Sequence, residues 1–307
     1  MQKLYDAVII GAGPAGVSCA IWLKRLGFEP LLLEASDQVG GLSARNPFYD
    51  LWTPTLSGRT GIDIARDMAS QLEASGAEVW LNSPVKTVLK QAEWPSQNQT
   101  QARLSFMVSV QHDGRLIDID ARTVVVATGV KPRHLQPGAS TSWPDVIIGP
   151  GEQIMQQDFA GKSVALLGGG DNAFENYAFA KTNGAKQAHI YARSIRAQKQ
   201  FVSRVSASDV HIGPYVVDPT SKTVNGNAYD LLIVLYGWEA QTNFATHLAL
   251  EHNAKGFIAT EHDTAQTSQV GVYAIGEVAQ RMHPCIVTAF ADGVVAAKAI
   301  EAQLAVS

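Results

Sequence analysis

Two short stretches of this chain carry residue types at spacings suited to holding a dinucleotide. In "VIIGAGPAG" the glycines Gly11, Gly13 and Gly16 follow a β-branched run, with Glu34 further on. In "VALLGGGDNA" Gly168, Gly170 and Ala173 follow a second apolar run. A G-x-G-x-x-G turn between strand and helix turns the chain tightly at its first glycine, admits a pyrophosphate at its second and packs helix on strand at its third. The helix N-terminus adds N–H donors and the positive end of its dipole. Glu34 is placed to accept hydrogen bonds from an adenosine ribose. It stands 23 residues after Gly11, and the same step from Gly168 lands on Tyr191. With no acid there, and with Arg193, Arg196 and Lys199 close behind, the second turn favours a ribose bearing a 2′-phosphate. The bland alternative for these cations is a solvated helix end. Two such sites in one chain suit hydride transfer between a retained flavin and a visiting nicotinamide, the flavin carrying the chemistry and the protein supplying position and electrostatics.

The elements that would position these residues follow from hydrophobic periodicity. Residues 7–10 form a short strand, 14–26 a helix and 30–34 a second buried strand, so the first segment is a βαβ unit with a parallel sheet. A helix is expected over residues 61–75, then alternating strands at 85–89, 104–111 and 116–118, with the polar loop 91–101 as an exposed hairpin tip. Another strand is expected within "TVVVATG", residues 123–129, and the Pro/Ser/Gly-rich stretch 132–151 is the linker candidate. A second βαβ unit starts at Ser163 and runs to "LLIVLYG", residues 231–237; "GVYAIGEVA" and a helix over 289–304 then return to the first domain. The fold expected is α/β with two Rossmann-like dinucleotide-binding domains, one inserted in the other. Residues 1–133 and 242–307 would bind FAD, and 134–241 NAD(P)H.

With 46% hydrophobic and 17% charged residues the chain can build buried cores. A net charge of −4, with scattered basic residues, argues against nucleic acid or an anionic membrane surface as partner. No apolar run approaches the roughly 20 residues that span a bilayer. The first strand begins close to Met1 and there are two cysteines, so a cytoplasmic protein without a targeting segment is expected. His247, His252 and His262 lack metal-ligand spacing, and no metal is expected. Cys19 lies on the apolar stripe of the first helix and reads as core. Cys285, ahead of the last helix, reads either as a small space-filling side chain or as a thiol activated by the helix N-terminus. Tyr5, Trp52 and Trp238 read as packing or as aromatics that shield a flavin.

These motifs together resemble the thioredoxin reductase family and, nearest, its thioredoxin-reductase-like ferredoxin–NADP reductases. The resemblance covers nearly the whole chain and rests on "GAGPAG" with Glu34, on Gly40 and Gly41, on "ATGVKPR", on "GGGDNAFE" and on "GVYAIGEVA". It implies FAD on Gly11, Gly13, Pro14, Ala15, Gly16 and Glu34, with Gly40, Gly41, Leu42, Asn46 and the backbone of Val85 along the cofactor. Ala127, Thr128 and Gly129 would join the domains beside it. It implies the coenzyme on Gly168, Gly170, Asp171, Asn172 and Ala173, with Arg193 and Arg196 for the 2′-phosphate, so NADPH with NADH as the alternative. Gly276 and Glu277 would reach the ribityl and phosphate groups. Ile286, Val287 and Thr288 would start the last helix near the flavin's pyrimidine edge, beside Cys285, the single candidate for a catalytic side chain. A homodimer is implied by the family alone.

Three departures shape the expected activity. The family's Cys-x-x-Cys ahead of the second glycine turn is absent, and with it the sulfur pair that relays electrons to a protein disulfide. Glu277 stands where the family has Asp, and Ala192 takes the first place of an Arg-Arg pair. The expected function is thus an FAD-dependent NAD(P)H oxidoreductase without a redox dithiol, of the ferredoxin- or flavodoxin-reducing type. The alternatives are a reductase of a small disulfide, quinone or other oxidant, and a flavin-binding protein without productive NAD(P)H turnover.

Overall fold

The computed structural model describes residues 3–94, 103–136 and 142–305. The chain divides into two compact units, Met1–Val130 with Ala240–Ser307, and Lys131–Glu239. Both Rossmann-like sheets expected from the sequence are present, and the second is inserted into the chain of the first.

In the first unit, Leu4–Ile10 pairs parallel with Pro30–Leu33 on one side and with the far half of Arg115–Val126 on the other. Glu78–Trp80 and Val272–Ala274 extend this parallel sheet at its two ends. The near half of Arg115–Val126 instead runs antiparallel to Arg103–His112, which pairs with Val85–Trp94. The strands read separately at 116–118 and 123–129 are therefore one, which changes partners midway and ends at Val126. Its polar interruption at Asp118 and Asp120 hid the continuity: Asp118 accepts from the Ser109 hydroxyl at 2.6 Å and Asp120 from the Gln91 amide at 3.3 Å. Residues 91–94 extend a strand, and the rest of the expected hairpin tip lies outside the described residues.

Strand alternation divides the first core in two. Ala7 and Ile9 face the helices Pro14–Arg25, Gly61–Ser75 and Ile286–Ala305, while Val8 and Ile10 face a second cluster with Phe106, Val108 and Leu248. The helix Gly61–Ser75 occupies the expected residues and is held by a reciprocal cap, Asp63 N–H to Thr60 Oγ1 at 3.1 Å and Thr60 N–H to Asp63 Oδ2 at 3.0 Å. The last helix starts three residues earlier than its apolar stripe announced, at Ile286.

In the second unit the parallel order is Val210–Ile212, Gln187–Ala192, Ser163–Leu167, Leu231–Val234 and Val146–Ile148. The linker candidate 132–151 thus contains an edge strand, short enough for its Pro- and Gly-rich flanks to mask it; residues 137–141 lie outside the described residues. The helix Asp171–Thr182 covers one face of the sheet with Phe174, Tyr177 and Ala180.

The first and last helices of the first unit approach to main-chain distance at Gly293. A β-carbon there would lie 2.5 Å from the Ala15 carbonyl oxygen and 2.7 Å from the Cys19 nitrogen, and the Ser18 hydroxyl donates to the Phe290 carbonyl at 2.8 Å. Gly293→Ala would gain about 1 kcal/mol of helix propensity. Against that stands backbone on both sides that a methyl must push apart, at ~1–3 kcal/mol for overpacking and more where the backbone cannot yield. The expected outcome in urea denaturation is a net loss of roughly 1–2 kcal/mol; unchanged or higher stability would show that the crossing is loose.

Candidate functional site

At the first glycine turn the backbone meets itself. Gly11 has φ +107°, and a β-carbon on it would lie 2.5 Å from the Ala127 carbonyl oxygen; one on Gly16 would lie 1.9 Å from the Gly11 carbonyl oxygen. Gly13 differs: apart from its own chain neighbours, no protein atom lies within 4 Å of the place a β-carbon would take. The helix that follows opens on Pro14 and has no side-chain cap, so its first-turn donors, including Ala15 N–H and Gly16 N–H, are left for an anion. Gly40 N–H donates to the Ala12 carbonyl at 2.8 Å, which brings the Gly40–Gly41 turn so close that a β-carbon on Gly41 would lie 3.1 Å from Gly13 Cα.

Glu34 follows the second strand directly and leans over this turn. Its Oε2 accepts Ala12 N–H at 2.7 Å, and its Oε1 accepts Ser36 N–H at 2.8 Å and the Ser36 hydroxyl at 2.9 Å. A carboxylate offers about four acceptor positions, so one stays open, and a second is released when Ser36 turns its hydroxyl to the Gln38 carbonyl, 3.0 Å away. An uncapped helix start, a bare Gly13 and an acid with acceptor capacity fit the adenosine-diphosphate half of FAD.

The C-terminal segment closes on the same turn. Gly276 would place a β-carbon 3.0 Å from that of Ala15, and its N–H donates to Asp292 Oδ2 at 3.0 Å. Asp292 Oδ1 accepts Arg281 Nη1 at 2.8 Å, the two side chains being only 4% and 6% exposed, and Arg281 Nη2 donates to the His262 carbonyl. Burial holds the Asp292 carboxyl above the ordinary range, opposed by Gly276 N–H and Arg281. A pocket here is lined by Gly276, Glu277, Arg281, Cys285, Thr288 and Asp292, among others. Glu277 is half-buried and burial raises its pKa. Cys285 is the residue before the last helix; its exposed thiol lies 3.4 Å from Thr288 Oγ1, and its carbonyl accepts Ala289 N–H at 3.0 Å. Cys19 is buried, which pushes its thiol pKa up, and both cysteines are free.

Other expected positions fall into local roles. Asn46 is exposed and its Oδ1 accepts Phe48 N–H at 3.1 Å, a turn within its own loop. Leu42 and Val287 are exposed, Ile286 packs on the core, and Val85 pairs with Val110 at a strand start. Ala127 N–H donates to the Ile10 carbonyl at 2.8 Å, and the Thr128 hydroxyl to the Gln241 carbonyl at 2.7 Å. Gln241 N–H in turn donates to the Gly129 carbonyl at 3.3 Å. Tyr5 is core, while Trp52 is exposed.

The second turn repeats the first with a different lining. A β-carbon on Gly168 would lie 2.3 Å from the Leu235 carbonyl oxygen, and one on Gly169 2.0 Å from that of Ser194, whereas one on Gly170 would again meet nothing within 4 Å beyond its own chain neighbours. Tyr191 is not the counterpart of Glu34. Gly11 N–H bonds the Leu33 carbonyl and Gly168 N–H bonds the Tyr191 carbonyl, so Tyr191 matches Leu33 and the counterpart of Glu34 is Ala192, the last residue of its strand. The second unit is one residue longer between turn and strand end, and counting along the chain missed it. Tyr191 faces the other side of the sheet, stacked on His211 with ring centroids 4.6 Å apart and its hydroxyl 2.7 Å from that of Tyr229. Arg193, Arg196 and Lys199 are exposed, and no salt bridge among the described residues takes any of them. Asn172 lies in the first helical turn, its carbonyl accepting the Asn176 amide at 2.7 Å.

The family profile described as pyridine nucleotide-disulphide oxidoreductase matches residues 5–293. The chain belongs to that family. A ferredoxin–NADP reductase of Limosilactobacillus fermentum is 28% identical, over 90% of this chain and 86% of its own length. A thioredoxin reductase of Bacillus subtilis is 25% identical, over 98% and 95%. Among solved structures, thioredoxin reductase of Lactococcus lactis has a TM-score of 0.78 at 23% identity, covering 99% of this chain and 100% of that one. Bacillithiol disulfide reductase of Bacillus cereus has 0.79 at 18%, covering 98% and 100%. This family member is an FAD-dependent NAD(P)H oxidoreductase, and among the described residues no helix is long and apolar enough to cross a membrane.

Sequence reading missed Asp292, Arg281 and Gly169. A lone acid in the apolar run "IVTAFADGVVAA" was the available sign of a buried, paired charge, and the middle glycine of "GGG" the sign of a second close approach. Glu277 supplies a test of the pocket's electrostatics. Its raised pKa means the folded protein holds the proton more tightly than the unfolded chain does, so stability is lost as pH rises through the folded value. Glu277→Gln is expected to match the parent below about pH 4, where both side chains are neutral, and to exceed it at about pH 8, in urea titrations after FAD removal. Equal stability at the higher pH would mean the carboxylate is solvated.

Proposed function

We propose that this oxidoreductase passes electrons from NADPH through FAD to a ferredoxin- or flavodoxin-type acceptor. The observation that carries this reading is the cysteine inventory: Cys19 is buried, Cys285 is exposed and no second thiol accompanies either, so no internal dithiol can relay electrons to a protein disulfide. The chemistry FAD would supply when bound, acceptance of a hydride and release of electrons singly or in pairs, suits a two-electron donor and a one-electron acceptor.

The chain's own residues have separate tasks. Gly13 and the first-turn N–H groups after Pro14 hold the FAD pyrophosphate, and the Gly40–Gly41 turn lies along it. Glu34 takes the ribose hydroxyls, while Asp292 and Arg281 fix the Gly276–Glu277 turn beside the first helix. Gly170 and the start of the helix Asp171–Thr182 receive the coenzyme pyrophosphate. The Ala192 side chain offers no acceptor to a free 2′-hydroxyl, while Arg193 and Arg196, unpaired with any carboxylate among the described residues, suit a 2′-phosphate. Support comes from relatives whose names include ferredoxin and NADP.

A second reading, reduction of a small disulfide at Cys285, is favoured by the exposure of that thiol beside Thr288. Anaerobic titration of the FAD-loaded protein with NADPH and NADH, followed by flavin absorbance, tests the first reading. NADPH is expected to bleach the flavin at lower concentration, Arg193→Ala to lower the NADPH-to-NADH preference ~10-fold, and the reduced protein to reduce added ferredoxin or flavodoxin. A flavin that neither coenzyme bleaches would make this a flavin-binding protein without turnover. Cys285→Ser is expected to keep FAD and NADPH oxidation; loss of turnover with a low-molecular-weight disulfide, with ferredoxin inert throughout, would establish the second reading.

A further inference from the structure

We infer that Asp171 is a positioning residue for coenzyme choice: with Gln198 it clasps the segment bearing Arg193 and Arg196 onto the second glycine turn. The inference rests on the NADPH reading above and deepens it by naming what holds the two arginines in place.

The segment leaves the strand Gln187–Ala192 and doubles back over the turn. Two backbone bonds tie it there, Arg196 N–H at 2.7 Å and Ala197 N–H at 3.0 Å, both to the Gly169 carbonyl. The absence of a side chain on Gly169 is what lets Ser194 come this near. Asp171, the first residue of the helix, supplies the other two. Its Oδ1 accepts Gln198 N–H at 2.7 Å and its Oδ2 the Gln198 side-chain amide at 2.9 Å. Gln200 donates to Gln198 Oε1 at 2.9 Å and fixes which way that amide faces. Beyond Gln198 the chain enters the short helix Lys199–Val202.

Asp171 gives both oxygens to Gln198 and none to the cations beside it, so the acid orders the backbone while Arg193 and Arg196 keep their guanidinium groups for an incoming anion. Charge alone would make Asp171 unfavourable here. A carboxylate at the start of a helix that receives a pyrophosphate repels it, and removing that charge would tighten binding of either coenzyme. The clasp acts with the opposite sign. Loss of two charge-assisted bonds frees the segment, and ordering it again falls on the binding of the 2′-phosphate, the one group that needs the arginines placed. NADH lacks that group, so the two effects separate in the ratio of affinities.

The test is the dissociation constant of NADPH and of NADH for the FAD-loaded wild type, Asp171→Ala, Asp171→Asn and Gln198→Ala. Asp171→Ala is expected to lower the NADPH-over-NADH preference ~10-fold, and Gln198→Ala, which keeps the backbone bond, less. Asp171→Asn is expected to restore most of it: an amide oxygen still accepts Gln198 N–H, and reversal of the exposed Gln198 and Gln200 amides restores the other bonds without the charge. A wild type that prefers NADPH, with the preference unchanged or raised in Asp171→Ala, overturns the clasp and leaves the coenzyme reading standing. So does equal loss for both coenzymes, or an Asp171→Asn no better than Asp171→Ala. A wild type that does not prefer NADPH overturns the coenzyme reading and the clasp with it.

Discussion

A methyl group on Gly16 would lie 1.9 Å from the Gly11 carbonyl oxygen, and one on Gly293 2.5 Å from that of Ala15. The first helix is thus gripped from two sides at main-chain distance, by the strand end it springs from and by the last helix crossing it. Such contacts leave no rotamer to adjust, so the helix start, the Gly40–Gly41 turn laid against Gly13 and the Gly276 turn laid against Ala15 form one rigid surface. Rigidity matters because donors that are already oriented need not be ordered when an anion binds. Gly13, the one glycine of the three with open space where its side chain would be, is where that surface stays bare of protein.

The second unit uses the same frame to a different end. Its helix also starts on an uncapped glycine, and its strand also ends in a bond to the first glycine of the turn. The polar residues have moved, however. In the first unit the acid sits at the strand end and reaches back to the turn through Ala12 N–H; in the second it sits at the helix start and reaches out to Gln198. An acid at the strand end offers acceptor oxygens there, whereas an acid at the helix start with both oxygens engaged leaves the strand end to Ala192 and the cations after it. One scaffold thereby presents an acid at the strand end in one unit and, in the other, cations that no salt bridge among the described residues takes.

Much of this was legible in the sequence because it follows from short-range rules. The βαβ units, the helix Gly61–Ser75 and the two glycine-rich turns all announce themselves by local periodicity and glycine spacing. What stayed hidden depends on partners far apart in the chain. Arg115–Val126 changes partners midway, and its acids, Asp118 exposed and Asp120 buried, look like a break until Ser109 and Gln91 are seen beside them. Counting from Gly168 gave Tyr191 because spacing cannot show a loop one residue longer. Asn46 and Asp171, expected along the cofactor and the coenzyme, turn their side chains to Phe48 and Gln198, choices set by loop geometry that no motif encodes.

The Arg281–Asp292 pair shows how a costly feature can be the organising one. Withdrawing both charges from water is unfavourable, and a pair of apolar residues would often be as stable or more so. What an apolar pair could not do is accept Gly276 N–H on one carboxylate oxygen while the guanidinium on the other reaches the His262 carbonyl. Through these bonds one acid in the last helix fixes the turn before Glu277, the segment leading to Cys285 and a loop beyond. Removing either partner alone would leave a buried charge unmet, at a cost of ~3–5 kcal/mol. The pair therefore links the integrity of the core to the geometry of the pocket lined by Glu277, Cys285 and Thr288: the fold cannot be kept at full stability with that pocket's frame undone.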